Sequence, residues 1–126
     1  MRLLLDTHVL IWYLEGNQSL SKSRRQSIVD ARNDIFVSIA SLWEMSIKIG
    51  SGKLKISRSL SDVIQQLINQ NIAILPVHPG HVLQVATLPF HHHDPFDRML
   101  IAQSQVESLS VMSHDSAFAD YGIKLL

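Results

Sequence analysis

Cysteine is absent from the 126 residues, which excludes disulfides and thiolate metal ligands and agrees with a reducing compartment. Long apolar runs are missing too, since no stretch approaches the roughly 20 residues needed to span a bilayer. The opening Met1-Arg2-Leu3-Leu4-Leu5 looks like the start of a secretory signal, but Asp6 and His8 interrupt it and no small-residue cleavage site follows. A soluble, cytoplasmic protein without membrane contact is therefore expected. Net charge is also lacking, because eleven basic side chains balance eleven acidic ones. The strongly basic balance of many nucleic-acid binders is not there, although Arg24, Arg25, Lys48, Lys53, Lys55 and Arg58 gather in the first half and Asp94, Asp97, Asp115 and Asp120 in the second.

What is present is apolar residue in quantity, 46% of the chain, enough to bury a core in one domain spanning residues 1–126. Short runs of β-formers alternate with helical patterns. Arg2–Leu5, Asp34–Ser38, Ile72–Leu75 and Ser110–Ser113 read as strands, with Ile123–Leu125 as a candidate fifth. Between them, 7–14, 21–32, 39–49, 60–69, 81–88 and 95–109 read as helices. The clearest is 60–69, where Leu60, Val63, Ile64, Leu67 and Ile68 form one stripe behind a serine cap. Asp94 followed by Pro95 opens the last long helix. Trp43 and Phe96 fall on apolar faces and are expected in the core. Alternation of this kind implies βαβ units: an α/β fold with a central, mostly parallel sheet of 4–5 strands flanked by helices, a Rossmann-like three-layer sandwich.

Such sheets bind ligands at the carboxyl ends of their strands. Asp6 directly follows the first strand, and Asp115 lies just beyond the fourth. Asp97 is in the first turn of the helix feeding that strand, and Glu44 is in the second turn of the helix after strand two. Each has an ordinary alternative. Asp6 and Asp115 would each cap a helix, Glu44 would pair with Lys48 at i+4, and Asp97 would complement a helix dipole. Taken together they would repel one another unless a cation sat among them. Hard oxygen donors select Mg²⁺ or Mn²⁺.

Other motifs carry less. His91-His92-His93 has no thiolate or HExxH partner for zinc and reads as a polar loop, or as a loop with one histidine at the edge of a site. Gly50-Ser51-Gly52-Lys53 lacks the first glycine and the Ser/Thr of a phosphate loop. A phosphatase of the Asp-x-Asp kind would need an acid at His8.

The segments Asp6-Thr7-His8, Ser41-Leu42-Trp43-Glu44, His92-His93-Asp94-Pro95-Phe96-Asp97-Arg98 followed by Leu100-Ile101-Ala102-Gln103, and Ser113-His114-Asp115-Ser116-Ala117-Phe118 resemble those of PIN domains. More narrowly, they resemble the VapC-type toxins of bacterial type II toxin–antitoxin systems. The resemblance spans nearly the whole chain, and Asp-Pro-Phe-Asp-Arg is its most specific piece. It implies a metal-dependent endoribonuclease, commonly a homodimer, silenced by an antitoxin. Asp6, Glu44, Asp97 and Asp115 match the family's acidic positions and would hold one or two Mg²⁺ or Mn²⁺ ions. Thr7, Asp94 and Ser113 would support them, with Ser113 standing where threonine is frequent. Arg98 would either pair with a neighbouring carboxylate or contact phosphate, and its place beside Asp94 and Asp97 favours the ion pair. The substrate would be RNA unpaired at the cut, with Arg24, Arg25, Lys48, Lys53 and Lys55 as candidate backbone contacts. Two alternatives remain: a PIN-fold binding module without catalysis, and a structure-specific DNA nuclease on the same scaffold.

Overall fold

A computed structural model describes residues 1–126. Its elements follow the alternating pattern: β1 (Arg2–Leu5), α1 (Thr7–Glu15), α2 (Lys22–Val29), β2 (Asp34–Ser38), α3 (Ile39–Gly50), α4 (Leu60–Asn69), β3 (Ala73–Leu75), α5 (Pro79–Thr87), α6 (Pro95–Glu107), β4 (Ser110–Met112) and a terminal 3₁₀ helix (Ser116–Tyr121). The four strands form one sheet in the order β3-β2-β1-β4, parallel throughout. The candidate fifth strand contracts to a single bridge between Val111 and Leu125.

Because successive strand residues point to opposite faces, β1 supplies both layers of the core. Leu3 and Leu5 join Val9, Leu10, Leu42, Met45, Val63 and Leu67 beneath α1, α3 and α4. Leu4 points the other way, to Leu100, Ile101, Val111 and Phe118 against α6. A strand covered on both faces reads as a continuous apolar run, as Leu3-Leu4-Leu5 does. The result is a helix–sheet–helix sandwich. No helix is long and apolar enough to cross a membrane.

Most helices differ from the sequence reading by a few residues at an end, α6 for instance stopping at Glu107 rather than 109, and two of the differences have a local cause. The second helix stops at Val29 because Asp30 turns back on Arg32, accepting its backbone N–H at 2.9 Å and pairing with its guanidinium at 2.7 Å. The fifth helix starts earlier, at Pro79, since the His81 ring accepts the N–H of His78 at 2.9 Å and so caps its own helix.

Trp43 is a larger departure. It is 63% exposed rather than in the core, stacked edge-on against Phe96 at 5.3 Å. Together with Ile39, Val77, Val85 and Met99 they line an apolar groove between α3 and α6. The helix α3 has two apolar faces, Leu42 and Met45 toward the sheet and Ile39, Trp43 and Ile47 outward.

Candidate functional site

In the strand order β3-β2-β1-β4, the chain leaves β1 for β2 on one side and returns to β4 on the other. That reversal opens a crevice at the carboxyl ends of β1 and β4, where parallel sheets bind ligands. Leu5 pairs with Met112 in register, so the next residues, Asp6 and Ser113, emerge side by side. The Asp6 N–H still donates to the Met112 carbonyl at 3.1 Å.

Asp6 is buried and caps α1, its Oδ1 accepting the Val9 N–H at 2.8 Å. Capping and a site role are therefore compatible, since one oxygen serves the helix. Burial pushes its carboxyl above the usual 3.8, against the hydrogen bonds from Ser113 and Val9 that pull it down. Thr7, beside it, donates to Ser41 Oγ at 3.0 Å and ties α1 to α3.

Asp94 caps α6, accepting the Asp97 N–H at 3.0 Å, and this fixes Asp97 in the first turn. The Asp97 carboxyl is raised to about 6, first by burial and then by the charge of Asp94, with Asp6 and Glu44 adding to it and His92 opposing. Asp115 caps the 3₁₀ helix through Oδ1, and its own N–H donates to Ser113 Oγ. Asp6, Asp97 and Asp115 line one cleft of about 290 Å³ together with His8, Trp12 and His114.

Glu44 does not line that cleft but lies within electrostatic reach of Asp97. It is 4% exposed, and Lys48 Nζ sits 2.6 Å from its Oε2. The i+4 pair and the place beside the acids hold at once. Lys48 is thereby engaged, and its ammonium also feels Asp94 and Asp97.

The remaining basic residues divide. Arg24 reaches the Ser113 carbonyl at 3.4 Å, at the cleft margin. Arg25 is spent within the fold, donating to the carbonyls of Tyr13 and Asn17 and lying over the Tyr13 ring. Lys53 and Lys55 are exposed beyond the end of α3, outside the cleft lining.

Arg98 corrects the sequence reading. It makes no ion pair with Asp94 or Asp97. Its buried guanidinium donates instead to the carbonyls of Val85, Leu88, Pro89 and His92 and lies 4.2 Å from the Phe90 ring centroid. The loop joining α5 to α6 folds around it, so hydrogen bonding to main chain wins over the nearby charges.

That loop brings one histidine of the run to the acids, the second of the two readings the sequence offered, without the sequence saying which. His92 Nε2 stands 2.8 Å from Asp115 Oδ2 and 3.0 Å from Asp97 Oδ2. Its backbone N–H is held by the Tyr121 hydroxyl at 2.8 Å. Only the position of one histidine in a run of three, ahead of an acidic cap, hinted at it.

Several solved structures share this architecture. Over the whole chain it superposes on VapBC2 from Rickettsia felis, determined bound to a DNA fragment from its promoter, with a TM-score of 0.75, 13% identity and 98% of that chain covered. A DNA-bound VapBC from Salmonella typhimurium gives 0.72 at 16% identity, covering 100% of this chain and 97% of the other. FitAcB from Neisseria gonorrhoeae gives 0.64 at 19%, covering 98% and 96%. Identities this low speak for the fold. Comparison with curated protein sequences found no significant match. The profile of the family described as PIN domain matches residues 3–124. With the profile spanning nearly the whole chain, and the fold and the conjunction of acids agreeing with it, the chain belongs to the PIN domain family.

Proposed function

We propose that this protein is a metal-dependent endoribonuclease of the VapC type, the toxin of a toxin–antitoxin pair, built as one domain. The observation that carries the reading is the convergence of Asp6, Asp97 and Asp115, from three separate segments, on one cleft at the sheet's switch point. Two of these carboxyls are held above their ordinary range by burial, and Arg98, the cation nearest in sequence, is turned away. Acids gathered this closely, with one imidazole between Asp97 and Asp115, are costly by themselves and suit a divalent cation.

Asp6, Asp97 and Asp115, with Glu44 at the margin, would hold one or two Mg²⁺ or Mn²⁺ ions. When bound, such an ion supplies positive charge at the scissile phosphate and acidifies its water. The protein's own part is placement. The Val9 N–H and Ser113 orient Asp6, and the Asp94 cap fixes the turn that carries Asp97. His92 spans Asp97 and Asp115, while Lys48 moderates Glu44. Asp115 is exposed, so the cleft is open to the solvent that would supply the attacking water.

The solved relatives are VapBC and FitAB assemblies, which supports a cognate antitoxin as partner. The groove of Trp43 and Phe96 supplies apolar surface of the kind that interfaces cover, in keeping with a homodimer. A cytoplasmic location would suit an RNA substrate.

The test is incubation with total RNA, with Mg²⁺ or Mn²⁺, with chelator, and with Asp97→Asn. Metal-dependent cleavage lost in the variant supports the reading. Cleavage of DNA in place of RNA, or RNA binding without cleavage, would replace it by one of the two alternative classes.

A further inference from the structure

The cleft that holds the acids has a second wall. Trp12 and His114 meet edge to face with ring centroids 4.7 Å apart, and His8 lies 6.2 Å from Trp12. All three line the cleft with Asp6, Asp97 and Asp115. Each aromatic shares its segment with an acid. His8 and Trp12 are one turn apart on the helix that Asp6 caps, and His114 immediately precedes Asp115. The same backbone that fixes the acids therefore fixes the distance from the rings to them.

Packing explains only part of Trp12. The indole touches the core beneath α1 and is half-buried, yet its outer side faces the cleft, and His8 and His114 are exposed. A core needs no histidines there. Arg24, bonded to the Ser113 carbonyl, brings a guanidinium to the same margin. A flat indole, a cation at the rim and an acidic floor suit one nucleotide: the base on the indole, one phosphate at the acids and the next toward the arginine. Bases inside a duplex have no free face to offer. Ring stacking accepts any base, because every base has a π-face.

We propose that the Trp12 indole is a stacking shelf for one unpaired RNA base beside the scissile phosphate, with the His114 ring, edge-on to the indole, closing the side of the shelf. The proposal rests on the ribonuclease reading and names the feature that would confine the cut to unpaired strands. Trp12 and His114 are binding residues and take no part in bond breaking.

The chain has two tryptophans, so Trp43→Phe leaves Trp12 as the sole indole reporter. In that background, with Asp97→Asn to prevent cleavage, a short mixed-sequence single-stranded RNA is expected to quench Trp12 emission. The same RNA as a duplex is expected to leave it unchanged. In the cleaving protein, Trp12→Leu keeps an apolar side chain against the core and is expected to raise KM about tenfold with kcat within about twofold, while Trp12→Phe recovers most of the loss. Melting curves confirm that each variant is folded. Single-stranded RNA that binds without moving Trp12 emission overturns the shelf, as does Trp12→Leu with an unchanged KM. Equal quenching by duplex, or quenching by acidic peptide and not by RNA, also overturns it. In these cases the wild type still cleaves RNA and the ribonuclease reading stands. A wild type that neither binds nor cleaves RNA removes both.

Discussion

His92 Nε2 stands 2.8 Å from Asp115 Oδ2, across 23 residues of sequence. The same nitrogen is 3.0 Å from Asp97 Oδ2, so one imidazole joins two carboxylates delivered by different elements. Its other nitrogen, Nδ1, accepts the Asp94 N–H at 3.2 Å, which leaves the hydrogen on Nε2. His92 is thus held by one acid's backbone and holds the side chains of two others.

Removing that link has a defined consequence. His92→Ala is expected to lower stability in chelator by about 1 kcal/mol, a fall of roughly 3–5 °C in Tm. Metal affinity should weaken about tenfold, because Asp97 and Asp115 lose the group that sets them side by side. Thermal melts and calorimetric titration with Mn²⁺ measure the two effects. Unchanged affinity together with unchanged Tm would show that the bridge contributes nothing.

The raised Asp97 carboxyl makes stability depend on pH. Its folded-state value of about 6 lies above the ordinary 3.8, so between these the folded protein binds more protons than the unfolded chain. The folded state bears no penalty below about pH 4 and the full penalty above about pH 6, on the order of 3 kcal/mol. Metal-free protein is therefore expected to lose stability as pH rises from 4 to 7. Asp97→Asn should flatten that slope and be the more stable form at pH 7. The comparison is made by urea denaturation in chelator, wild type against variant. A difference between them that does not change with pH would sink the assignment.

Much of this site is legible in the sequence because its acids follow directly from element ends. An apolar run that stops at Asp6, a cap-and-proline at Asp94-Pro95 and a strand before Asp115 each fix a position locally. His92 and Arg98 are not legible that way. Their places depend on a loop closed by the carbonyls of Val85, Leu88 and Pro89 and by the Tyr121 hydroxyl, which lies 29 residues from the His92 N–H it accepts. Nearest charge in sequence suggested an ion pair for Arg98, whereas the turn of chain around it offered carbonyls at better geometry. Trp43 fails for a different reason. A helical stripe records that a face is apolar, not whether the protein's own core covers it.

Cation binding should offset both the burial and the repulsion that raise Asp97. At pH 7, Mg²⁺ or Mn²⁺ is expected to raise Tm by several degrees, and by less at pH 5, where protons compete for the carboxylates. The Asp6→Asn/Asp97→Asn double variant should show no such rise. An equal rise in the double variant would place the cation elsewhere on the molecule.

In a bacterial host, expression without a partner protein is expected to arrest growth, and Asp97→Asn to abolish the arrest. Immunoblotting at equal protein level excludes a difference in abundance. Toxicity undiminished in the variant would separate any arrest from cleavage.

Arg98 supplies the last expectation, because it holds the loop that carries His92. Its guanidinium serves four carbonyls, including that of His92, while 7% exposed. Arg98→Ala would leave those oxygens without their donor and empty the space beneath Phe90, costing about 2–4 kcal/mol. Arg98→Lys should recover only part of this, since one ammonium cannot span acceptors that a planar fork reaches together. Released at its carbonyl, His92 would no longer hold Asp97 and Asp115 in place, so cleavage should fall further than the folded fraction does. Urea denaturation and single-turnover rates on the same preparations separate the two losses. A variant within about 0.5 kcal/mol of wild type would show that the loop keeps its shape without the arginine.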